Sequence, residues 1–192
     1  MYFREPIAQR PAARDRLLDA AERLVLEMGA GHLTLDAVAK FAGVSKGGLL
    51  YHFPSKDALL EAMLTRHVND VEAQVAARVA AHGGKPSRVA RFRERVQVLL
   101  ELRPERRQLG AAVLAASADN PALMARCRAG YRELVEELGK LPGGFERSAL
   151  VLLAVDGLLL GELLRLSPYT PEERVRLVKA LVKAVDQCGR MQ

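Results

Sequence analysis

The stretch from Leu33 to Lys56, LTLDAVAKFAGVSKGGLLYHFPSK, limits the fold more than any other part of the chain. It holds two helix starts, two helix stops and a restart. Thr34 has a hydroxyl able to cap free backbone N–H groups, and Asp36 follows in the first turn, where negative charge suits the helix dipole. Val38, Ala39 and Ala42 form a small apolar face, and Gly43 supplies the backbone freedom of a helix stop. Ser45 is placed to cap a second helix from Lys46 to about Phe53. Pro54 ends that helix and Ser55 caps the next. Two short helices joined by a glycine turn make the helix-turn-helix unit, whose second helix can enter a DNA major groove.

The residue types on the second helix fit that role. Lys46 stands at its start beside Gly47 and Gly48. Glycine inside a helix costs roughly 1 kcal/mol relative to alanine, so two in succession suit a backbone that must come close to another surface. Leu49 and Phe53, four residues apart, are expected to face inward, while Tyr51 and His52 project elsewhere with hydrogen-bonding tips. Thr34, Tyr51, His52 and Lys56 are the candidate phosphate contacts. Ser45, Lys46, Gly47 and Gly48 form the groove-facing start of the recognition helix, with Lys46 able to reach a guanine edge or a phosphate.

Gly43-Val44-Ser45-Lys46-Gly47, Leu49, Tyr51-His52-Phe53 and Ser55-Lys56-Asp57-Ala58-Leu59-Leu60 together resemble the TetR-type (TetR/AcrR) one-component transcription regulators. The likeness runs over roughly residues 13–64. Gly48 and Leu50 depart from the usual pattern, standing where Thr or Ala and where Tyr are common, so no base preference is carried over. The resemblance implies an all-α chain of about nine helices, with a three-helix DNA-binding domain followed by a helical bundle for ligand binding and dimerisation. On that expectation residues 1–10 are a flexible arm, 11–56 the DNA-binding domain and 57–192 the regulatory domain. It also implies a cytoplasmic homodimer that binds operator DNA as a repressor and is released by a small-molecule effector.

The rest of the chain reads as helices. Leu17, Ala20, Ala21, Leu24 and Val25 form one stripe on a helix over 12–28 that ends at Gly29-Ala30-Gly31. A long helix over 55–81 follows the helix-turn-helix, and His82-Gly83-Gly84-Lys85-Pro86 is the clearest break. Helices are predicted over 87–102, 104–118, 121–139, 145–166 and 171–187. On the last helix Val175, Val178, Val182 and Val185 fall on one stripe, and Leu177, Leu181, Ala184 and Cys188 on an adjacent one. Gly157 and Gly161 lie four apart on the helix before it and leave a shallow groove. Two such helix pairs across a two-fold axis would make a four-helix interface. Its candidate residues are Leu153, Gly157, Leu160, Gly161, Leu164, Val178, Leu181, Val182 and Val185.

A ligand site between the helices of the body follows from the resemblance, and the sequence adds Arg103, Arg107, Met124, Tyr131 and Asp156 as its candidate residues. Asp156 lies inside an apolar run, where a carboxylate must be paired or hydrogen-bonded. That run, Ala149 to Leu164, is too short for an easy membrane span and is interrupted by Asp156 and Glu162. The N-terminus carries no apolar segment of signal-peptide type.

Composition narrows the alternatives. With 49% hydrophobic residues the chain can bury a core, and its net charge of +6 suits an anionic partner. That charge is not concentrated on the motif. Residues 1–56 hold eight Lys/Arg against six Asp/Glu, whereas residues 85–107 hold eight against three. DNA binding is therefore inferred from the motif, and the second basic stretch is expected to be solvated. Cys127 and Cys188 lie in no metal-ligand spacing and are expected to be reduced thiols. His32, His52, His67 and His82 have no partner at ligand spacing, and HExxH, GxSxG and P-loop motifs are absent. No cofactor, metal or enzymatic activity is expected. The alternative readings are a helical small-molecule-binding protein and a DNA-binding protein without operator specificity.

Overall fold

The computed structural model describes residues 12–83 and 87–189, which form nine α-helices, one short 3-10 turn and no strand. The basic arm with Arg4 and Arg10, and Gly84 to Pro86 of the expected break, lie outside the described residues. The helices are α1 (Ala13–Met28), α2 (Leu35–Ala42), α3 (Lys46–His52), α4 (Lys56–Ala81), α5 (Arg88–Glu101), α6 (Pro104–Ala116), α7 (Pro121–Gly139), α8 (Gly144–Leu163) and α9 (Pro171–Cys188).

Local chemistry sets most of these boundaries. Thr34, Ser45, Ser55, Ser87 and Asn120 each accept a hydrogen bond from a backbone N–H three residues on, at 3.0–3.1 Å. Thr170 and Glu173 make a reciprocal capping box at the start of α9. Gly43 takes φ +69° and closes α2, with the Val44 N–H donating to the Ala39 carbonyl at 3.0 Å. Helix α8 stops at Leu163, short of the expected Leu166. Arg165 adopts φ +56°, and the Leu166 N–H turns back to the Gly161 carbonyl at 2.8 Å, which prevents a further turn. Helix α6 likewise stops at Ala116, where the buried Ser117 hydroxyl donates to the Val113 carbonyl at 2.7 Å.

Three groups of buried side chains hold the helices together. The first joins Leu17, Leu18, Ala21 and Leu24 of α1 to Val38, Leu49, Phe53, Leu59, Leu60 and Met63, and is completed by Leu109 and Val113 of α6 and Leu123 of α7. The second packs Phe92, Val96 and Leu100 of α5 against Val151, Leu152 and Val155 of α8 and Val185 and Cys188 of α9. The third, Val71 and Val75 of α4 with Val98 of α5, lies under the distal half of α4. At 1.5 Å per residue, α4 is about 39 Å long, and it contributes to the first and third groups.

One close approach depends on glycine. The Gly143 N–H donates to the Cys188 carbonyl at 2.7 Å, and a Cβ built on Gly143 would lie 2.8 Å from the Cys188 Cα. The obstacle is backbone and cannot rotate away. Gly143→Ala should therefore destabilise the fold by about 1–3 kcal/mol, read as a lower urea midpoint with unchanged slope. Gly130 is an exposed position inside α7 with open space around it. Gly130→Ala should instead stabilise by about 0.5–1 kcal/mol. Equal effects of the two substitutions would contradict this packing.

Candidate nucleic-acid interface

Helix α3 is only seven residues long, and its two ends are fixed differently. Its start is held by Ser45, whose Oγ accepts from the Gly48 N–H at 3.1 Å. Its end is held by Leu49 and Phe53, which are 0% and 1% exposed in the first core. With that face buried, the opposite face is turned outward. Lys46, Gly47, Gly48 and Tyr51 are all exposed, Tyr51 at 85%. His52 is half-buried, with its ring edge-on to Tyr51 at 5.0 Å between centroids. Thr34 and Lys56 are exposed at the starts of α2 and α4. An exposed surface at α3 thus carries a lysine, two side-chain-free positions and an aromatic hydroxyl.

Two details of this surface were not legible in the sequence. Lys46 is held by Asp36 of α2, its Nζ lying 2.9 Å from Oδ1 and 3.1 Å from Oδ2. Ten residues separate the pair, and only the fold of the turn brings them together. Arg14 of α1 stacks over the Phe53 ring at 5.0 Å, at the floor of a groove between α1 and α4 that is also lined by His52, Glu61 and Arg66. A second groove, between α1 and the α2–α3 turn, is lined by Arg16, Val44, Gly48 and His52.

The second basic stretch is largely engaged within the protein. Arg91 and Arg95 both meet Glu72, Arg93 meets Asp186 at 2.9 Å, and Arg106 bonds Glu22 at 2.9 Å and also Asp70.

The candidate ligand residues of the body fall into separate places. Tyr131 of α7 donates its hydroxyl to Asp156 Oδ2 of α8. Burial first, and then this bond, raise the phenol above its ordinary pKa. Arg107 bonds Glu162, six residues beyond Asp156 on α8. Arg174 of α9 bonds the same carboxylate and also donates to the Leu100 carbonyl at 3.1 Å. Met124 is half-buried on α7, and Arg103 is exposed at the cap of α6. Glu162 and Arg174 were not among the candidates. The available signal was that Glu162, like Asp156, is a carboxylate inside an apolar run.

Of the candidate interface residues, Leu153, Gly157, Leu160 and Leu164 lie exposed along one side of α8, with the three leucines 54–64% exposed. Gly161 is covered by the backbone of Ser167, and Val178, Leu181 and Val182 are half-buried. Val185 must be corrected. It is fully buried in the second core between α5, α8 and α9, so it serves its own protomer. Cys127 is half-buried and Cys188 buried, both as free thiols. Among the described residues no group of three or more His, Cys, Asp or Glu side chains is arranged to hold a metal, and no helix is long and apolar enough to cross a membrane.

An all-helical chain with a helix-turn-helix near its start and a helical body behind it defines a class of DNA-binding regulators. Residues 17–63 match the family described as bacterial regulatory proteins, tetR family, and residues 88–186 match the tetracyclin repressor-like C-terminal domain. The chain belongs to the TetR family. It is 29% identical to the HTH-type transcriptional regulator BetI of Burkholderia thailandensis, over 89% of this chain and 92% of that protein. It is 33% identical to the HTH-type transcriptional regulator SrpR of Pseudomonas putida over 69 residues, which span 36% of this chain and 32% of that relative's length. In structure it is similar to a transcriptional regulator from Rhodococcus sp. Rha1, with TM-score 0.70 and 26% identity over 91% of this chain and 96% of the other. It is also similar to the multidrug binding protein EbrR complexed with ethidium, with TM-score 0.65 and 26% identity over 88% and 97%.

The Glu162 cluster has a defined pH signature. Burial pushes its carboxyl up, but Arg174 and Arg107 outweigh that and hold it below the usual range. A depressed folded-state pKa adds stability above the unfolded value and loses it as pH falls through the folded one. Glu162→Gln should cost about 1–3 kcal/mol at pH 7. The gap to the native protein should close as pH drops below about 4.3. A gap independent of pH in urea titrations would mean the charge is immaterial.

Proposed function

We propose that this protein is a homodimeric, sequence-specific regulator of transcription that represses by occupying operator DNA and is released by a small molecule bound in its helical body. The observation that carries the DNA-binding part is Tyr51, 85% exposed on a helix whose other face is fully buried. A large aromatic held in solvent beside a lysine and two glycines has a use if a surface arrives to cover it. Two such helices in a dimer would enter successive major grooves about 34–36 Å apart.

The dimer reading is supported by the exposed side of α8. Leu150 and Leu153 are 67% and 64% exposed, followed by the open Gly157, then Leu160 and Leu164. Spacings of three, four, three and four residues place them on one face. Effector release is supported by likeness to EbrR, a multidrug binding protein whose structure holds ethidium. A cytoplasmic location is supported by the match to a family of bacterial regulatory proteins. Effector binding would favour a conformation with a different head spacing and lower DNA affinity through that difference.

The test is binding to DNA from upstream of the protein's own gene, compared with scrambled DNA, across a salt series. A preference of about 10³-fold or more is expected. Tyr51→Ala should reduce operator affinity about tenfold without lowering the melting temperature. Equal, steeply salt-dependent binding to both fragments would contradict operator recognition. In sedimentation, Leu153→Arg should convert dimers to monomers and weaken operator binding. A dimer unaffected by this change would move the interface away from α8.

A further inference from the structure

We propose that Asp36 is a specificity-determining residue of the DNA-binding surface, acting through Lys46. This inference rests on the operator-binding reading. Lys46 is the first residue of α3, and its ammonium lies 2.9 Å and 3.1 Å from the two Asp36 oxygens. Both side chains are well exposed, 60% for Lys46 and 70% for Asp36. Exposed pairs of this kind contribute little to stability, so the fold does not need it.

The pair does change what Lys46 can bind. A free lysine is a flexible point charge that finds any phosphate equally well, and every phosphate of a duplex is alike to it. Held by Asp36, Lys46 donates an N–H to Oδ2 with Oδ1 at 2.9 Å, and its ammonium keeps a further donor. That remaining donor can serve a base edge with the carboxylate still in place. Capture by a phosphate instead brings two anions, phosphate and carboxylate, onto the same ammonium. Asp36 therefore tolerates contact with a base and opposes binding to backbone alone, a repulsive element directed at the wrong partner. Asp36 itself is held in the first turn of α2, where the helix dipole favours its charge. The adjoining Gly47 and Gly48 present no side chain that could substitute for a misplaced lysine.

The experiment measures fluorescence anisotropy of the full chain on the upstream fragment and on scrambled DNA at several salt concentrations. The variants are Asp36→Asn, Lys46→Gln and the double substitution. Asp36→Asn should bind scrambled DNA about tenfold more tightly, with a log–log salt slope steeper by about 0.9 for each lysine freed onto a phosphate. Operator affinity should change less than threefold, so the operator-to-scrambled ratio falls. In the Lys46→Gln background, Asp36→Asn should have no further effect. Melting curves confirm folding, and Asp36→Ser is the second variant if Asn disturbs α2. Unchanged scrambled-DNA affinity and slope would overturn the proposal. So would an Asp36→Asn effect that persists without Lys46, since removal of bulk charge would then explain it. Native protein with no operator preference would sink the operator reading itself, which separates the two failures.

Discussion

The burial of Leu49 and Phe53 is the constraint on which the exposed surface of α3 depends. A helix of seven residues with two glycines cannot persist alone in water. Helix α3 exists because those two side chains reach a core built by α1, α4 and α6. Truncating either to alanine would remove roughly 2–5 kcal/mol. Helical periodicity then leaves no choice about the rest. With residues 49 and 53 inward, residues 47, 48 and 51 face outward. That surface is thus a by-product of core packing, and its orientation is as firm as that core.

Helix α6 shows how the core couples to the body. Arg106 and Arg107 are adjacent and therefore point in different directions around the helix. Arg106 reaches Glu22 of α1 and Asp70 of α4, beside the core that holds α3. Arg107 reaches Glu162 of α8. Glu22 is 8% exposed and is also faced by Arg66 at 3.7 Å, and burial raises its pKa despite both arginines. Leu109 and Val113 on the same helix are buried against α1 and α4. A shift of α6 would have to break charged contacts on both sides or carry α1 and α4 along with it.

The sequence made the helices and their caps legible because those signals are local. Thr34, Ser45 and Ser55 bond to N–H groups three residues away, a distance any reader can count. The inward placement of Leu49 and Phe53 followed from the same periodicity. Contacts across the fold were less visible. Asp36 with Lys46 and Arg107 with Glu162 are 10 and 55 residues apart, and nothing in spacing predicts them. Val185 illustrates a second limit. Its stripe on α9 was correctly apolar, but periodicity cannot say whether an apolar face meets its own chain or a copy. The adjacent stripe containing Cys188 leads into the same core, so both stripes had an internal partner.

The charge of the molecule has to be read with these pairings in mind. A formal +6 suggests a broadly attractive surface for DNA, yet much of the arginine content is spent inside the protomer. Arg91 and Arg95 share Glu72, Arg106 bridges two carboxylates, and Arg107 and Arg174 share Glu162. In the head, Lys46 is paired and Arg14 lies against Phe53. These pairings fix where the paired cations sit, while the net charge stays at +6. A protein organised this way combines a general attraction for polyanions with a small number of directed contacts. On α3 the groups exposed for such contacts are the restrained Lys46, the Tyr51 ring and the backbone at Gly47 and Gly48.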